Sequence, residues 1–450
     1  VKTRLHPLFF VAIALSAFTV AAQAGILHWD GASTGPNADG GNGTWDLEAA
    51  NLSWDTLATG GSDASWPAVT TLDDDAVFGG LAGTVNVAAG GVTANSLTFN
   101  TAGYILQGGK ITLDGTTPTI TNAVAATINS EIAGTAGFLK TGVGTLTLGG
   151  ANSHTGTTTI SGGTLLLSGG ANRLATTGAV AFGGSSTLDL GGNSQTLANL
   201  SVTAGGTVSN IITNGSLTLS GASNLLLTPP ASPTTAGAYA LDASGLSSLT
   251  IAKSANSLTV GGNSAATAAQ TGTFKLSSTS NTLTVTNLTV GVGGTGSIVN
   301  SATLSLGTAN VINATNFQVG ATRANASVVF QSGLVTPAVT LRALTGGSDR
   351  MASLLVGLNG AGGTAGNTQH ADFSLGAIDA RITTLTVSQG QSAATTGTPP
   401  TVFGTFSMGT GTLDATSITI SDNIAGGFNQ TNTGTFNQQA GTVKVGTLTL

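Results

Sequence analysis

The chain has 450 residues, of which 67 are glycine and only 7% are charged, against about 25% in an ordinary soluble domain. Twelve Lys and Arg face 18 Asp and Glu, an acidic balance that offers no electrostatic footprint to nucleic acid or anionic lipid. Glycine with proline stays below the roughly 25–30% of low-complexity chains and 40% of residues are hydrophobic, which argues against disorder, while the absence of cysteine excludes a disulfide framework.

Lys2 and Arg4 precede an apolar stretch over residues 8–20, and Ala22-Gln23-Ala24 supplies the small side chains required before a cleavage at Gly25. Residues 1–24 are therefore the predicted signal peptide, with Ala22, Ala24 and Gly25 at the cleavage site, and Val1 reads as an alternative start codon rendered literally. Without Lys2 and Arg4, 10 basic residues face 18 acidic ones, a net charge of −8. No later segment has the roughly 18 consecutive apolar residues of a membrane helix.

Residues 25–75 contain nine of the 18 carboxylates, all four tryptophans and no Lys or Arg. A stacked array needs a polar, atypical terminal unit over its first edge, so this segment is the predicted N-terminal cap. From Ala76 onward short apolar runs alternate with Gly, Asn and Asp: residues 76–78, 84–87, 96–99 and 111–113 read as strands. Leu146 and Leu148 alternate with Thr145 and Thr147, residues 157–160 alternate again, and residues 165–167 form a third run. Strands this short cannot enclose a core alone, so the expectation is a stack of coils with Leu and Ile inside and Thr and Ser outside.

The run K-T-G-x-G-T-L-T-L-x-G-A-N-x-x-T-G followed by T-x-I-S-x-G-T-L-x-L, within residues 138–169, resembles the autotransporter-associated β-strand repeat of secreted passenger domains. His154 stands where that family usually has Tyr or another aromatic. The Trp29-Asp30-Gly31, Gly43-Thr44-Trp45-Asp46 and Asn51-Leu52-Ser53-Trp54 groups likewise resemble the leader found before such repeats. The resemblance implies a right-handed parallel β-helix, a handedness that parallel crossovers also favour. It further implies export and an outer-membrane translocator, which is not found in these 450 residues; a cysteine-free chain suits passage through a pore.

Pro229, Pro230 and Pro233 interrupt the pattern, and residues 229–237 are predicted as a side loop or a break between solenoid segments 76–228 and 238–450. In the second segment Gly404-Thr405-Phe406 superposes on Gly434-Thr435-Phe436 with an offset of 30, placing Gly411 on Gly441, Leu413 on Val443, Ile418 on Leu448 and Ile420 on Leu450. Phe373, Leu385 and Val387 precede the first set by 33. Coils of about 20–30 residues rising about 4.8 Å each predict a rod on the order of 60–90 Å long. The final Val445-Gly446-Thr447-Leu448-Thr449-Leu450 reads as the middle of a strand, hence the expectation that the natural chain continues.

Candidate sites weigh little against this repeat. Ser33 in Gly31-Ala32-Ser33-Thr34-Gly35 matches a nucleophile elbow, yet Pro36 and a Gly/Asn loop follow where a helix is needed. Gly291, Gly293 and Gly296 match a dinucleotide fingerprint, but a strand pattern follows and no carboxylate occurs between Asp242 and Asp349. Asp46, Glu48, Asp73, Asp74 and Asp75 lack the local cation that acid–base work on acidic sugars needs. Asp39-Gly40-Gly41-Asn42-Gly43 with Asp46 approximates, one residue out of register, a calcium repeat that works only in stacked copies. Trp29, Trp45, Trp54 and Trp66 are either the cap core or a platform for sugar rings. His28, His154 and His370 have no metal-ligand spacing.

The sequence thus predicts a non-catalytic secreted or cell-surface passenger, a stalk or adhesin without cofactor, whose partners are surface polysaccharide or neighbouring cells and not nucleic acid. Two rivals remain: a β-helix polysaccharide lyase or hydrolase, for which Arg323, Arg342, Arg350 and Arg381 would have to gather with Asp or His on one face, and a carbohydrate-binding module using the cap tryptophans.

Overall fold

The computed structural model describes residues 25–31, 35–67, 74–203, 205–228, 234–294, 298–321, 324–358, 367–390, 402–423 and 432–450. The calls on Ala22, Ala24, Ser33, Asp73, Pro229, Pro230, Pro233, Gly296 and Arg323 lie outside these residues.

The described residues form strands and turns with no helix. One ladder begins with Ile26–Trp29 and continues through Asp75–Phe78, Ser96–Phe99, Thr119–Asn122, Phe138–Thr141, Thr158–Ile160, Ala179–Phe182 and Asn199–Val202, every step parallel. A second runs through Gly43–Trp45, Thr84–Val87, Tyr104–Gly108, Ala126–Ile128, Thr145–Leu148, Thr164–Leu167, Ser186–Leu197 and Val208–Leu219. A three-stranded sheet of Val92–Ala94, Ile111–Leu113 and Ile132–Ala133 completes the early part. Antiparallel pairing among the described residues is confined to residues 28–64: Ile26–Trp29 with Trp54–Asp55, Trp54–Asp55 with Asp63–Ala64, and an Asn37–Thr59 bridge.

Register follows the alternation of side chains. In the first ladder Leu27, Ala76, Leu97, Ile120, Lys140, Ile160, Phe182 and Val202 lie in one row. From Leu97 onward its partners are 20–23 residues apart. Beyond residue 220 the corresponding inward row is Leu225, Leu258, Leu288, Phe317, Leu354, Leu385, Ile418 and Leu448. Its partners are 29–37 residues apart, because strands lengthen, reaching 24 residues in Asn367–Gly390 and 22 in Val402–Asn423. One continuous core results, with most of the inward row fully buried. Burying each Leu or Ile is worth about 1.5–3 kcal/mol, so stability accumulates row by row.

The 30-residue offset is reproduced: Gly404, Thr405 and Phe406 pair with Gly434, Thr435 and Phe436, and Leu413 and Ile418 with Val443 and Leu448. The 33-residue offset holds for Leu385–Ile418 and Val387–Ile420, but Phe373 pairs with Met408 instead of Phe406. A register shift between Phe373 and Ala377 absorbs two residues, while the Phe373 and Phe406 rings still meet at 5.9 Å. The ladder continues on both sides of the prolines, since Gly237–Gly245 pairs with Val208–Leu219 and with Gln270–Lys275.

Candidate functional site

The repeat residues explain themselves once the register is known. Lys140 sits in an inward row between Ile120 and Ile160 and is fully buried. Its Nζ turns back and donates to the carbonyl oxygens of Gly142, Gly144 and Gly162, each at 2.9 Å. Two of these belong to its own Lys-Thr-Gly-x-Gly motif and the third to the next turn of the stack, so one ammonium ties neighbouring turns together. Burial pushes the Lys140 ammonium down to about 8. Lys253 repeats the device: 2% exposed, it donates to Ala198, Gly221 and Ser223 carbonyls at 2.9–3.0 Å, with its pKa also lowered by burial.

Asn152 is the second latch. Its Oδ1 accepts from the Ile132 amide at 2.8 Å and its Nδ2 donates to the Arg173 carbonyl at 2.9 Å, linking the turns before and after it. His154 fills the aromatic position by packing edge-on against Phe138 at 5.1 Å, and its Nε2 shares a 2.8 Å hydrogen bond with Thr158 Oγ1. Burial lowers its pKa, so the ring is a neutral packing group. Gly156 is required by close approach: a Cβ there would stand 2.2 Å from the Ala136 carbonyl carbon.

The four cap indoles have relative exposures of 0, 0, 1 and 2% for Trp29, Trp45, Trp54 and Trp66. Trp45 meets Trp54 and Trp66 at 5.1 and 4.8 Å, and Phe78 of the following rung joins them. A sugar platform needs solvent-exposed ring faces, and none of the four offers one. The platform expectation is therefore corrected: the edge-to-face packing spends the ring surface on the core.

Other calls are not brought into sites. Asp46 Oδ1 accepts from the Glu48 amide in its own turn, Asp75 from Asn95 Nδ2, and Asp74 from the Gly25 amide. Gly40 bridges to Leu81, away from any stacked copy of the calcium-like run. Gly291, with φ +84°, lies inside the strand Ser280–Val292, and the next described element is the strand Asn300–Leu306 where a dinucleotide site needs a helix. Among the described residues no three His, Asp or Glu side chains converge on a metal position.

Two surface arrangements depend on register, one that the sequence raised as the condition for a lyase and one that it missed. Arg342, Arg350 and Arg381 do gather with carboxylates: Arg342 pairs with Asp379 at 2.5 Å and Arg350 with Asp414 at 2.7 Å. The guanidiniums are spent on structure, for Arg342 also donates to Gly347 and Asp379 carbonyls, Arg350 to the Asp414 carbonyl and Arg381 to the Ser348 carbonyl. Arg350 holds the Asp414 carboxyl below the usual range. They clasp the turn over residues 343–350 onto the strands Asn367–Gly390 and Val402–Asn423.

The second arrangement is an outward row of Asn224, Ser257, Asn287, Asn316 and Ser353, joined in sequence by Ser257 N to Asn224 Oδ1 (2.9 Å), Asn287 Nδ2 to Ser257 Oγ (3.2 Å), Asn316 Nδ2 to Asn287 Oδ1 (2.8 Å) and Ser353 Oγ to Asn316 Oδ1 (2.9 Å). Thr259, Thr289 and Gln318 lie beside it, and together they line a groove of about 520 Å³. A larger open groove of about 700 Å³ is bordered by Asp189, Asn214, Ser244 and Ser247. The first is polar and hydroxyl- and amide-rich, the second evenly polar and apolar with one carboxylate, and neither holds a paired acid and base.

Residues 138–167, which carry the Lys140 and Asn152 latches, match the family model of the passenger-associated-transport-repeat. The chain is also similar to the adhesin BmaC autotransporter of Brucella suis biovar 1 (strain 1330), with 41% identity over 147 residues. That match covers 32% of this chain and 4% of the relative, so the chain spans a small part of the relative's length. No solved structure matches the chain.

Proposed function

We propose that the chain is part of a non-catalytic autotransporter passenger, a right-handed parallel β-helix that stands at the cell surface or is released, and acts as a stalk or adhesin. The parallel ladder carrying a passenger-associated-transport-repeat at residues 138–167 is the observation that supports this reading most directly. Residues 1–24 serve as the export signal and residues 25–75 as the cap, whose strands Ile26–Trp29 and Gly43–Trp45 head the two ladders. Residues 76–228 and 238–450 form the solenoid. An outer-membrane translocator is the expected transport partner.

Adhesion falls to the polar grooves. Neutral hydroxyl and amide rows bind polysaccharide or a cell surface through many weak hydrogen bonds, each worth about 0.5–1.5 kcal/mol, so useful affinity comes from multivalent display. The test is binding of the purified chain, coupled to beads at several densities, to a panel of surface polysaccharides and whole cells. Density-dependent binding weakened by Asn287→Ala with Asn316→Ala supports the reading; equal binding by the double variant, or release of unsaturated or reducing sugar ends from acidic polysaccharide, overturns it. The Arg342, Arg350 and Arg381 gathering keeps the lyase reading specific enough for the second assay to be decisive.

A further inference from the structure

The cap contains a charge problem that its sequence cannot solve. Asp30 and Asp55 are both fully buried, and no Lys or Arg occurs between residues 25 and 75. Asp30 Oδ1 accepts from the Asp39 amide at 2.8 Å, but Asp30 Oδ2 and both oxygens of Asp55 are buried without a hydrogen-bond partner. The two residues belong to the same antiparallel patch. Asp30 N donates to the Ser53 carbonyl, while Asp55 pairs with His28 on one side and with Asp63 on the other. Asp55 feels Asp30, Asp63 and Asp39 as nearby negative charges, on top of its burial, and all of these disfavour its ionised form. A buried carboxylate with no partner costs several kcal/mol, and a folded protein retains one where a cation or a proton satisfies it.

We propose that Asp30 and Asp55 form the anionic part of a calcium site in the cap, Asp55 offering both oxygens and Asp30 its Oδ2. Two carboxylates call for a divalent ion, and an all-oxygen donor set selects a hard one. Calcium tolerates the irregular geometry of a three-strand patch, whereas magnesium demands a near-ideal octahedron. With no third carboxylate or imidazole converging, backbone carbonyls and water complete the shell. Such a site is weak, with a Kd on the order of 0.1–1 mM as in other extracellular calcium modules. The ion would tie Trp54–Asp55 to the chain just after Ile26–Trp29, at the edge that begins the stack.

The neighbouring tryptophans supply the readout. Trp29 and Trp54 pack against each other at 5.0 Å and are the chain neighbours of Asp30 and Asp55, an adjacency that sets them up to sensitise a bound lanthanide. Terbium titrated into the intact chain is expected to give tryptophan-excited luminescence that saturates at one ion and is chased by calcium. Asp55→Asn and Asp30→Asn should each weaken it at least tenfold, while Asp46→Asn, in an exposed turn, leaves it unchanged. Near-ultraviolet circular dichroism establishes that each variant retains the packed indoles. In the unaltered chain, a few millimolar calcium should raise Tm by about 1–2 °C. Absent luminescence, luminescence undiminished in Asp55→Asn, or a calcium-independent Tm overturns the proposal. So does a stability that falls as pH rises past the ordinary carboxylate range without responding to calcium, the signature of a carboxyl pair sharing a proton.

Discussion

Lys140→Met removes a buried charge together with a side chain that reaches three turn carbonyls at once. The side chain is fully buried and donates to Gly142, Gly144 and Gly162 at 2.9 Å. Losing the donor costs about 1–3 kcal/mol at each of the Gly142 and Gly162 carbonyls and about 1 kcal/mol at Gly144, which keeps the Thr164 amide at 3.3 Å, while no longer desolvating an ammonium returns about 3 kcal/mol. The net destabilisation expected at pH 7 is about 2 kcal/mol, measured as a lower urea midpoint with unchanged m. The pH dependence supplies an independent signature. The folded-state pKa of about 8 lies below the unfolded value, so between these pH values the unfolded chain binds more protons than the folded one. Wild-type stability therefore gains, on the order of 2 kcal/mol between pH 7 and about pH 9.5, and the Met variant lacks this rise. A variant as stable as wild type at pH 7, or one with the same pH slope, would refute the carbonyl latch.

Gly156→Ala forces a Cβ to within 2.2 Å of the Ala136 carbonyl carbon and should cost about 1–3 kcal/mol by overpacking, with hydrogen-exchange protection lost first around residues 136–158. Trp54→Ala should cost about 3–5 kcal/mol and collapse the near-ultraviolet dichroism, while soluble sugars leave the wild-type tryptophan emission unchanged; a sugar-induced shift would revive the platform. Arg350→Ala should free the turn at residues 343–350 at a cost of about 0–1 kcal/mol. Because Arg350 depresses the Asp414 pKa, the stability it confers is present above the unfolded carboxylate pKa and disappears as pH falls through the folded value, so the two urea midpoints should converge in acid.

Strand existence was legible because its signal is local. Leu146 and Leu148, or Leu385 and Val387, point inward for the same reason that Thr145 and Thr147 point outward, and two-residue alternation needs no knowledge of the partner. The repeat period was legible too, since Gly404-Thr405-Phe406 and its copy 30 residues later must stack to pair at all. The Phe373 offset misled because a register shift two to four residues downstream alters pairing without altering the local pattern.

Composition by itself determined that this chain is a cysteine-free, charge-poor β array with an acidic, tryptophan-rich start, because hydrophobic alternation and glycine turns act over a few residues. Only the tertiary structure decided what its few polar groups do. Lys140 was one residue of a repeat motif and is a buried latch; four tryptophans read as plug or platform and are buried; Asp30 and Asp55 looked like two among nine cap carboxylates and, among the described residues, are the ones with buried oxygens that lack a hydrogen-bond partner. Those outcomes depend on which strand lies above and below, a long-range register that places residues 20 to 37 positions apart in contact and that no local window contains.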